Sequence, residues 1–191
     1  MVNPTYDGPI ETLAYVSFRG SYGVNEELRR AFDDAVQAAV FNHPYISKRF
    51  DLLERSRIEP VLREQNFVIS QGIDPRNAPE LGKLLGARYI LLGELVSFDA
   101  KENRSQVLLA NVSTLSLHVR VALTLVETES GRVLARVSAD RTETVLTQTG
   151  VGVSWTLQLS TPVTLPEKAV TDALNKICYE ALNELFRRLA A

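Results

Sequence analysis

The sequence has few of the residues that most often carry chemistry or covalent cross-links. It contains one cysteine, Cys178, which excludes an intramolecular disulfide. Cys178 lies in an apolar helical pattern, and no histidine or cationic cluster stands near it in sequence, so a buried structural thiol is predicted. The two histidines, His43 and His118, have no cysteine or carboxylate at metal-ligand spacing. We therefore predict no metal site.

An excess of charge of either sign is also absent. The chain has 21 basic and 23 acidic side chains and a net charge of −2. Because no basic excess is available to neutralise phosphates, binding to nucleic acid is not expected. No apolar run reaches the roughly 18 residues of a membrane-spanning helix. The first residues show no secretory signal, so a cytoplasmic protein and a chain whose signal and lipidation cysteine were removed both stay open.

Catalytic and phosphate-binding motifs are equally scarce. The sequence has no Gly-x-Ser-x-Gly and no Walker A motif. A Gly-x-x-Gly segment follows a predicted strand and opens a helix, which makes it an anion-loop candidate. Glu26 and Glu27 come next and would repel a phosphate, which favours a plain strand-to-helix connection. The anion-loop candidate comprises Gly20, Ser21, Gly23 and Asn25. We predict no catalytic residue and no cofactor, and we expect a protein that is not an enzyme.

Amphipathic patterns, by contrast, cover most of the 191 residues. They predict an α/β fold in the order β-α-β-α-α-β-β-β-α, a mixed sheet flanked by helices with long antiparallel hairpins in the second half. A single domain over residues 1–191 is expected, with a lead-in over 1–11 and a C-terminal helix over 167–190. The strands are predicted at 12–19, 49–55, 88–100 and within 105–148, and the other helices at 26–42, 56–65 and 77–87.

Three local signals set expected boundaries. Ser56 followed by Glu59 reads as a capping box at a helix start. The hydrophilic run 101–104, "KENR", predicts a turn between two strands, and "SG" at 130–131 predicts a hairpin turn. Along the β tract, apolar residues alternate on one face, and His118 lies on the opposite face: the apolar set is Leu115, Leu117, Val119, Val121, Leu123 and Leu125.

The block over residues 50–98 resembles the CsgG-like family, which is named for the curli secretion-channel lipoprotein. The matching features are a strand ending in Glu54 and Arg55, "LREQ" at 62–65, "LGKLLGA" at 81–87 and the strand "YILLGELVSF" at 89–98. The segment "VALTLVETESGRVL" at 121–134 is similar to the strand, turn and strand of that family.

The resemblance implies a sandwich of sheet and helices that resembles a nucleotide-binding domain, and a bacterial cell-envelope protein. It implies a location in the periplasm or at the periplasmic face of the outer membrane. The function that follows is non-enzymatic, through protein–protein contacts in envelope assembly or secretion, with protein partners or a homo-oligomer. Two alternatives stay open: a subunit of an oligomeric outer-membrane secretion channel, with membrane hairpins at 94–120 and 140–164, and a nucleotide or phosphate module using the loop 20–25.

The segment 151–159 carries the candidate partner or oligomer face. Apolar residues stand at every second position there: Val151, Val153, Trp155, Leu157 and Leu159. Its predicted neighbour, 140–149, carries charge on both faces, and burying Arg141 or Glu143 in hydrocarbon would be costly. Membrane contact is therefore possible for this chain but not favoured, and the face is expected to pack under the C-terminal helix or against another subunit.

Overall fold

The fold was analysed in a computed structural model, which describes residues 8–17, 26–64, 75–107, 110–151 and 167–189. The order of its elements is the one that the sequence predicts, with an additional short helix before the second strand. Along the chain the elements are β1 (Glu11–Ser17), α1 (Glu26–Asn42), α2 (Ile46–Arg49), β2 (Phe50–Leu52), α3 (Arg55–Glu64), a 3-10 turn (Pro75–Asn77), α4 (Ala78–Leu85), β3 (Tyr89–Val107), β4 (Ala110–Glu127), β5 (Val133–Val151) and α5 (Glu167–Leu189).

The strands form one mixed sheet, which confirms the predicted fold class. Their order across the sheet is β2-β1-β3-β4-β5. The first three are parallel to one another, whereas β3, β4 and β5 form an antiparallel meander. The two kinds of pairing follow from the connections, because parallel neighbours need a crossover through helices and antiparallel neighbours need only a tight turn.

Helices cover the two faces of the sheet unequally. The first face is packed by α1 and α5, whose buried residues recur at helical spacing and join the inward residues of every strand in the larger core. The other face is packed by α3 and α4, which bury a smaller core on β1, β3 and the end of β4. The smaller core consists of Ala14, Val16, Ile58, Leu62, Ala78, Leu81, Ala87, Ile90, Leu92 and Val126.

Three predicted boundaries are wrong. The "KENR" run is not a turn, because residues 101–107 stay in β3 and pair with β4 through Val107 opposite Ala110. Helix α3 begins at Arg55, so Ser56 is not its N-cap; the Ser56 hydroxyl instead donates to the Glu54 carboxylate at 3.2 Å. The strand predicted at 49–55 is shorter, since Arg49 ends α2 and β2 covers only Phe50–Leu52.

Two glycines end elements as the sequence predicts. Gly86 terminates α4 with φ of 65°, a left-handed conformation in which glycine has no steric penalty. Gly131 is the glycine of the predicted "SG" turn, which lies between β4 and β5, and it has φ of 69°. A third glycine, Gly82, is needed for packing, because a Cβ there would lie 1.9 Å from Cγ2 of Thr128.

Candidate interaction face

The half of the sheet formed by β3, β4 and β5 has one covered face and one open face. The apolar residues that the sequence places on one side of β4 are all buried beneath the helices, as predicted. Helix α5 packs on both β4 and β5 and supplies most of this cover. Its buried residues are Val170, Ala173, Leu174, Ile177, Cys178, Ala181, Leu182, Leu185 and Phe186.

The opposite face of the same three strands is polar and accessible. Cross-strand register puts His118 between Asp99 and Thr142, and the neighbouring row puts Arg120 beside Asp140. These side chains are exposed or half-buried, and α3 and α4 pack farther along the sheet, against the smaller core. We define the open face by its six central residues: Asp99, Lys101, His118, Arg120, Asp140 and Thr142.

Asp140 is the centre of the open face. One carboxylate oxygen lies 2.8 Å from Nε2 of His118, and the other accepts a hydrogen bond of 2.9 Å from Nε of Arg120. The three side chains are between 38% and 49% exposed. Ion pairs with this exposure add little to stability because water screens them. Three charged or polar groups held in a fixed arrangement on an open surface can instead bind another protein.

On the covered side, ion pairs fix α5 to the edge strand. Arg141 of β5 donates to Glu180 of α5 and to Glu143, and Nζ of Lys176 lies 3.2 Å from the Glu143 carboxylate. The hydrogen bond to Glu180 raises the pKa of Arg141, and the one from Arg141 lowers the pKa of Glu143. The charges of Arg141 and Glu143 are thus neutralised at the contact between β5 and α5.

A buried aspartate of α1, Asp33, contacts the carboxyl end of β1. Asp33, whose side chain is 1% exposed, accepts hydrogen bonds of 3.0 Å from Tyr15 and Ser17 and pairs with Arg29 at 3.1 Å. Gly93 of β3 leaves room for this arrangement, since a Cβ would lie 2.8 Å from the Tyr15 ring. The connection from β1 to β2 passes over one face of the sheet through α1, and the connection from β2 to β3 passes over the other face through α3 and α4. In open α/β sheets, ligands bind outside the carboxyl ends of the strands at such a change of face.

The predicted anion loop follows directly after Ser17, but Gly20, Ser21, Gly23 and Asn25 lie outside the described residues. Among the described side chains beside this loop, the Asp33 carboxylate and the Arg29 guanidinium pair with each other. They therefore give no net positive charge that would attract a phosphate.

A second buried cluster surrounds Glu11 at the amino end of β1. Its carboxylate pairs with Arg88 at 2.9 Å and with Arg49 at 3.5 Å, and it accepts a hydrogen bond of 3.4 Å from the Tyr89 hydroxyl. Burial, followed by the negative charge of Glu11, raises the pKa of Tyr89. Sequence reasoning missed this cluster, because its members come from four elements or their junctions and share no motif.

His43 and Cys178 are structural residues, each in a buried position. The Tyr45 amide donates to Nδ1 of His43 at 3.3 Å, and Nε2 lies 3.2 Å from the Asn183 side-chain oxygen, so the ring connects the turn between α1 and α2 to α5. Burial lowers the pKa of His43. Burial also raises the pKa of Cys178, which keeps the thiol protonated and unreactive, as the sequence predicts.

The candidate partner face at 151–159 is not tested by the described structure. Val151 is the last residue of β5, and Val153, Trp155, Leu157 and Leu159 lie outside the described residues. Among the residues that the structure describes, no group of three or more histidine, cysteine, aspartate or glutamate side chains is arranged to hold a metal ion. None of the described helices is long and apolar enough to cross a membrane.

The architecture defines a class of protein, an α/β sandwich in which a doubly wound parallel half continues into an antiparallel meander. The profile of the family "Curli production assembly/transport component CsgG" matches residues 18–191. The chain belongs to the CsgG family, which confirms the resemblance seen in residues 50–98. Membership supports the coarser part of the functional prediction, a protein of the cell envelope. No curated protein sequence matches the chain.

Several solved structures are similar to this chain. The hypothetical protein CT253 from Chlamydia trachomatis is 13% identical, with a TM-score of 0.52 and coverage of 95% of this chain and 96% of that one. Lipoprotein GNA1162 from Neisseria meningitidis is 12% identical, with a TM-score of 0.49 and coverage of 92% and 99%. The LpoB C-terminal domain from Salmonella enterica is 14% identical, with a TM-score of 0.44 and coverage of 71% and 86%. At these identities the likeness to CT253 concerns the fold alone.

Proposed function

We propose that this protein is a non-enzymatic component of the bacterial cell envelope that acts by binding other proteins during envelope assembly or secretion. It works in the periplasm or at the periplasmic face of the outer membrane. Family membership supports the compartment. Binding to other proteins is inferred from the open face, where fixed charged side chains occupy a sheet surface that contributes little to the core.

The chemistry of the open face favours a protein as its ligand. Its residues include both signs of charge, with Arg120 and Lys101 against Asp99 and Asp140, and hydroxyl side chains lie between them. Such mixed charge gives specificity through complementary charges on a partner. A surface for nucleic acid would instead carry positive charge alone.

The test compares two double variants of the full-length protein, produced in the bacterium from which it comes. H118A/R120A removes the charged centre of the open face from β4, an interior strand. The control, E129A/R132A, removes two exposed charged side chains from the turn after β4. Proteins retained from the envelope fraction by each tagged variant are quantified by mass spectrometry.

The expected result is a protein that the wild type and the control retain and that H118A/R120A loses, with the wild type and both variants in the envelope fraction. Equal retention by all three proteins would contradict the assignment of the open face. A cytoplasmic location for the full-length protein would contradict the compartment.

A further inference from the structure

Residues 43–52 connect the end of α1 to the edge of the sheet, and we call this segment the clasp. It contains α2, with four residues, and β2, with three. Strand β2 pairs on one side only, with β1. Short elements at the edge of a fold open locally at a lower free energy than the strands of the core. The clasp therefore depends on its side-chain contacts to stay closed.

Ring contacts fasten the clasp to helix α5. The rings of His43, Tyr45 and Phe50 lie around the ring of Phe186, with centroid distances of 6.2, 6.1 and 5.6 Å. Phe186 is fully buried. Nε2 of His43 also lies 3.2 Å from the side-chain oxygen of Asn183, on the same helix. His43 thus joins the first residue of the clasp to α5 by packing and by a hydrogen bond.

Polar contacts continue from this end of the clasp to strand β1. The Tyr45 hydroxyl accepts a hydrogen bond of 2.8 Å from Nη1 of Arg49, and Nε of Arg49 lies 3.5 Å from the Glu11 carboxylate. A change in the position of Tyr45 therefore disturbs a contact that orients Arg49 against β1. The turn at His43 and the position of α2 on the sheet are connected through these side chains.

The closed clasp requires a neutral imidazole at His43. The Tyr45 amide donates to Nδ1 of His43 at 3.3 Å, so Nδ1 carries no proton. The ring proton is therefore on Nε2, where it is donated to the Asn183 oxygen. A second proton on Nδ1 would place two donors against each other in a buried position. Protonation thus removes the hydrogen bond of the turn and leaves a buried amide without an acceptor, which destabilises the closed arrangement.

The described surroundings of the ring supply no negative charge that would stabilise a protonated histidine. The last turn of α1, residues 39–42, has no charged side chain. Glu184, which follows Asn183 in α5, pairs with two arginines of the same helix. Burial therefore lowers the pKa of His43, and the hydrogen bond with Asn183 offsets only part of this. The side chains that face the ring are Tyr45 of the clasp and, from α5, Tyr179, Asn183 and Phe186.

We propose that protonation of His43 opens the clasp, so that the turn leaves α5 and the elements α2 and β2 detach from the sheet while the rest of the fold stays intact. The opening goes beyond the proposed function and does not rest on it, because it involves the clasp rather than the open face.

The direction of the pH dependence follows from the two states of the ring. In the open clasp His43 takes up a proton as an ordinary histidine does, near pH 6.5, whereas in the closed clasp its pKa is lowered. Opening therefore becomes more favourable as the pH falls below 6.5. At pH 5.5 an ordinary histidine is protonated about ten times more often than not, which limits the increase in opening to about tenfold.

Amide hydrogen exchange followed by NMR tests the opening residue by residue. Protection factors, corrected for the intrinsic exchange rate, are compared at pH 7.5 and pH 5.5. The reporters in the clasp are the amides of Ser47 and Arg49, which donate to the carbonyls of His43 and Tyr45. The control amides, Ala87 and Gly131, are hydrogen-bonded elsewhere in the fold.

The clasp amides are expected to be less protected than those of β4 at pH 7.5, and to lose protection severalfold at pH 5.5. The control amides should not change. Clasp amides as protected as those of β4, equal protection at the two pH values, or an equal loss in the control amides would overturn the proposal.

Two variants assign the effect to His43. H43Q removes the titrating ring, and N183D places a carboxylate beside Nε2, which stabilises the protonated ring in the closed clasp. Both should weaken the pH dependence of the clasp amides. The matched control, N175D, adds the same charge at an exposed position of α5 and should keep it. Circular dichroism checks that each variant is folded, and N183D decides if H43Q is not. A pH dependence that survives in N183D as in N175D would overturn the proposal.

Discussion

The two faces of the sheet formed by β3, β4 and β5 differ sharply: one is apolar and covered by helices, and the other is polar and exposed. On the covered face, every inward residue of β4 from Leu115 to Leu125 is buried under helices, so its identity is set by packing. On the open face, His118, Arg120 and Asp140 hold one another at hydrogen-bond distance but remain exposed. Strong packing on one face thus lets the other vary without loss of the fold, which is why we assign binding to the open face.

The largest difference should come from truncating neighbours that point to opposite faces. Leu117 is fully buried, and L117A should lower the free energy of unfolding by about 3 kcal/mol, because it removes buried methyl groups and leaves a cavity. Ser116, the adjacent residue, points to the opposite side of the sheet. S116A should change the free energy of unfolding by less than about 0.5 kcal/mol. Urea denaturation measures both. Equal losses would show that the two faces do not differ in this way.

A smaller difference is expected between two aspartate–arginine pairs. In D33N the buried carboxylate that accepts from Tyr15 and Ser17 loses its charge, and stability should fall by about 2 kcal/mol. In D140N the pair with Arg120 is exposed and screened, so the change should stay within about 0.5 kcal/mol. Thermal or urea unfolding at one pH compares them. A loss in D140N as large as that in D33N would make the open face structural.

His43 should make the covered side sensitive to pH. Burial lowers the pKa of His43 in the fold below the ordinary value of 6.5, so in mildly acidic solution the unfolded chain binds a proton that the folded chain does not. Stability should therefore fall as the pH drops from 6.5 toward the lowered pKa. Unfolding across this range, in the wild type and in H43Q, measures the effect.

H43Q should show a flatter pH dependence in that range. The matched control is N175Q, at an exposed position of α5 that carries no titratable group. It should keep the dependence of the wild type. A wild-type profile that is unchanged by H43Q would assign the pH dependence to other groups.

The smallest effect is expected at the contact between α5 and β5. R141A removes the side chain that donates to Glu180 and Glu143. Because these groups are partly exposed, the loss of stability should be slight at low salt and should vanish at about 1 M salt, where the Debye length is only about 3 Å. Urea denaturation at two salt concentrations measures it. A loss independent of salt would point to packing by the arginine stem instead.

The covered face could be predicted from the sequence, and the polar contacts could not. Alternation along β4 and the helical stripe of α5 identify buried residues, because burial follows the period of each element. The "KENR" run has the composition of a turn, but pairing with β4 keeps these residues in an extended strand. The Glu11 cluster joins Arg88, 77 positions away in sequence, and no local pattern reports such a contact.

The same limit applies to the candidate sites. His118 could be placed on the face opposite the apolar one from alternation alone, but its contact with Asp140 depends on the register between β4 and β5. The fold brings that pair together with Arg120. The predictions for residues 20–25 and 151–159 stay predictions.

The measurement that tests the central claim most directly is photo-cross-linking of the full-length protein in living cells. A photoreactive amino acid replaces Arg120 on the open face in one variant and Asp172 on the solvent side of α5 in the other. If the open face binds a partner, a discrete cross-linked protein is expected from position 120 and none of that mass from position 172. The same products from both positions, or none from position 120, would contradict a binding role for the open face.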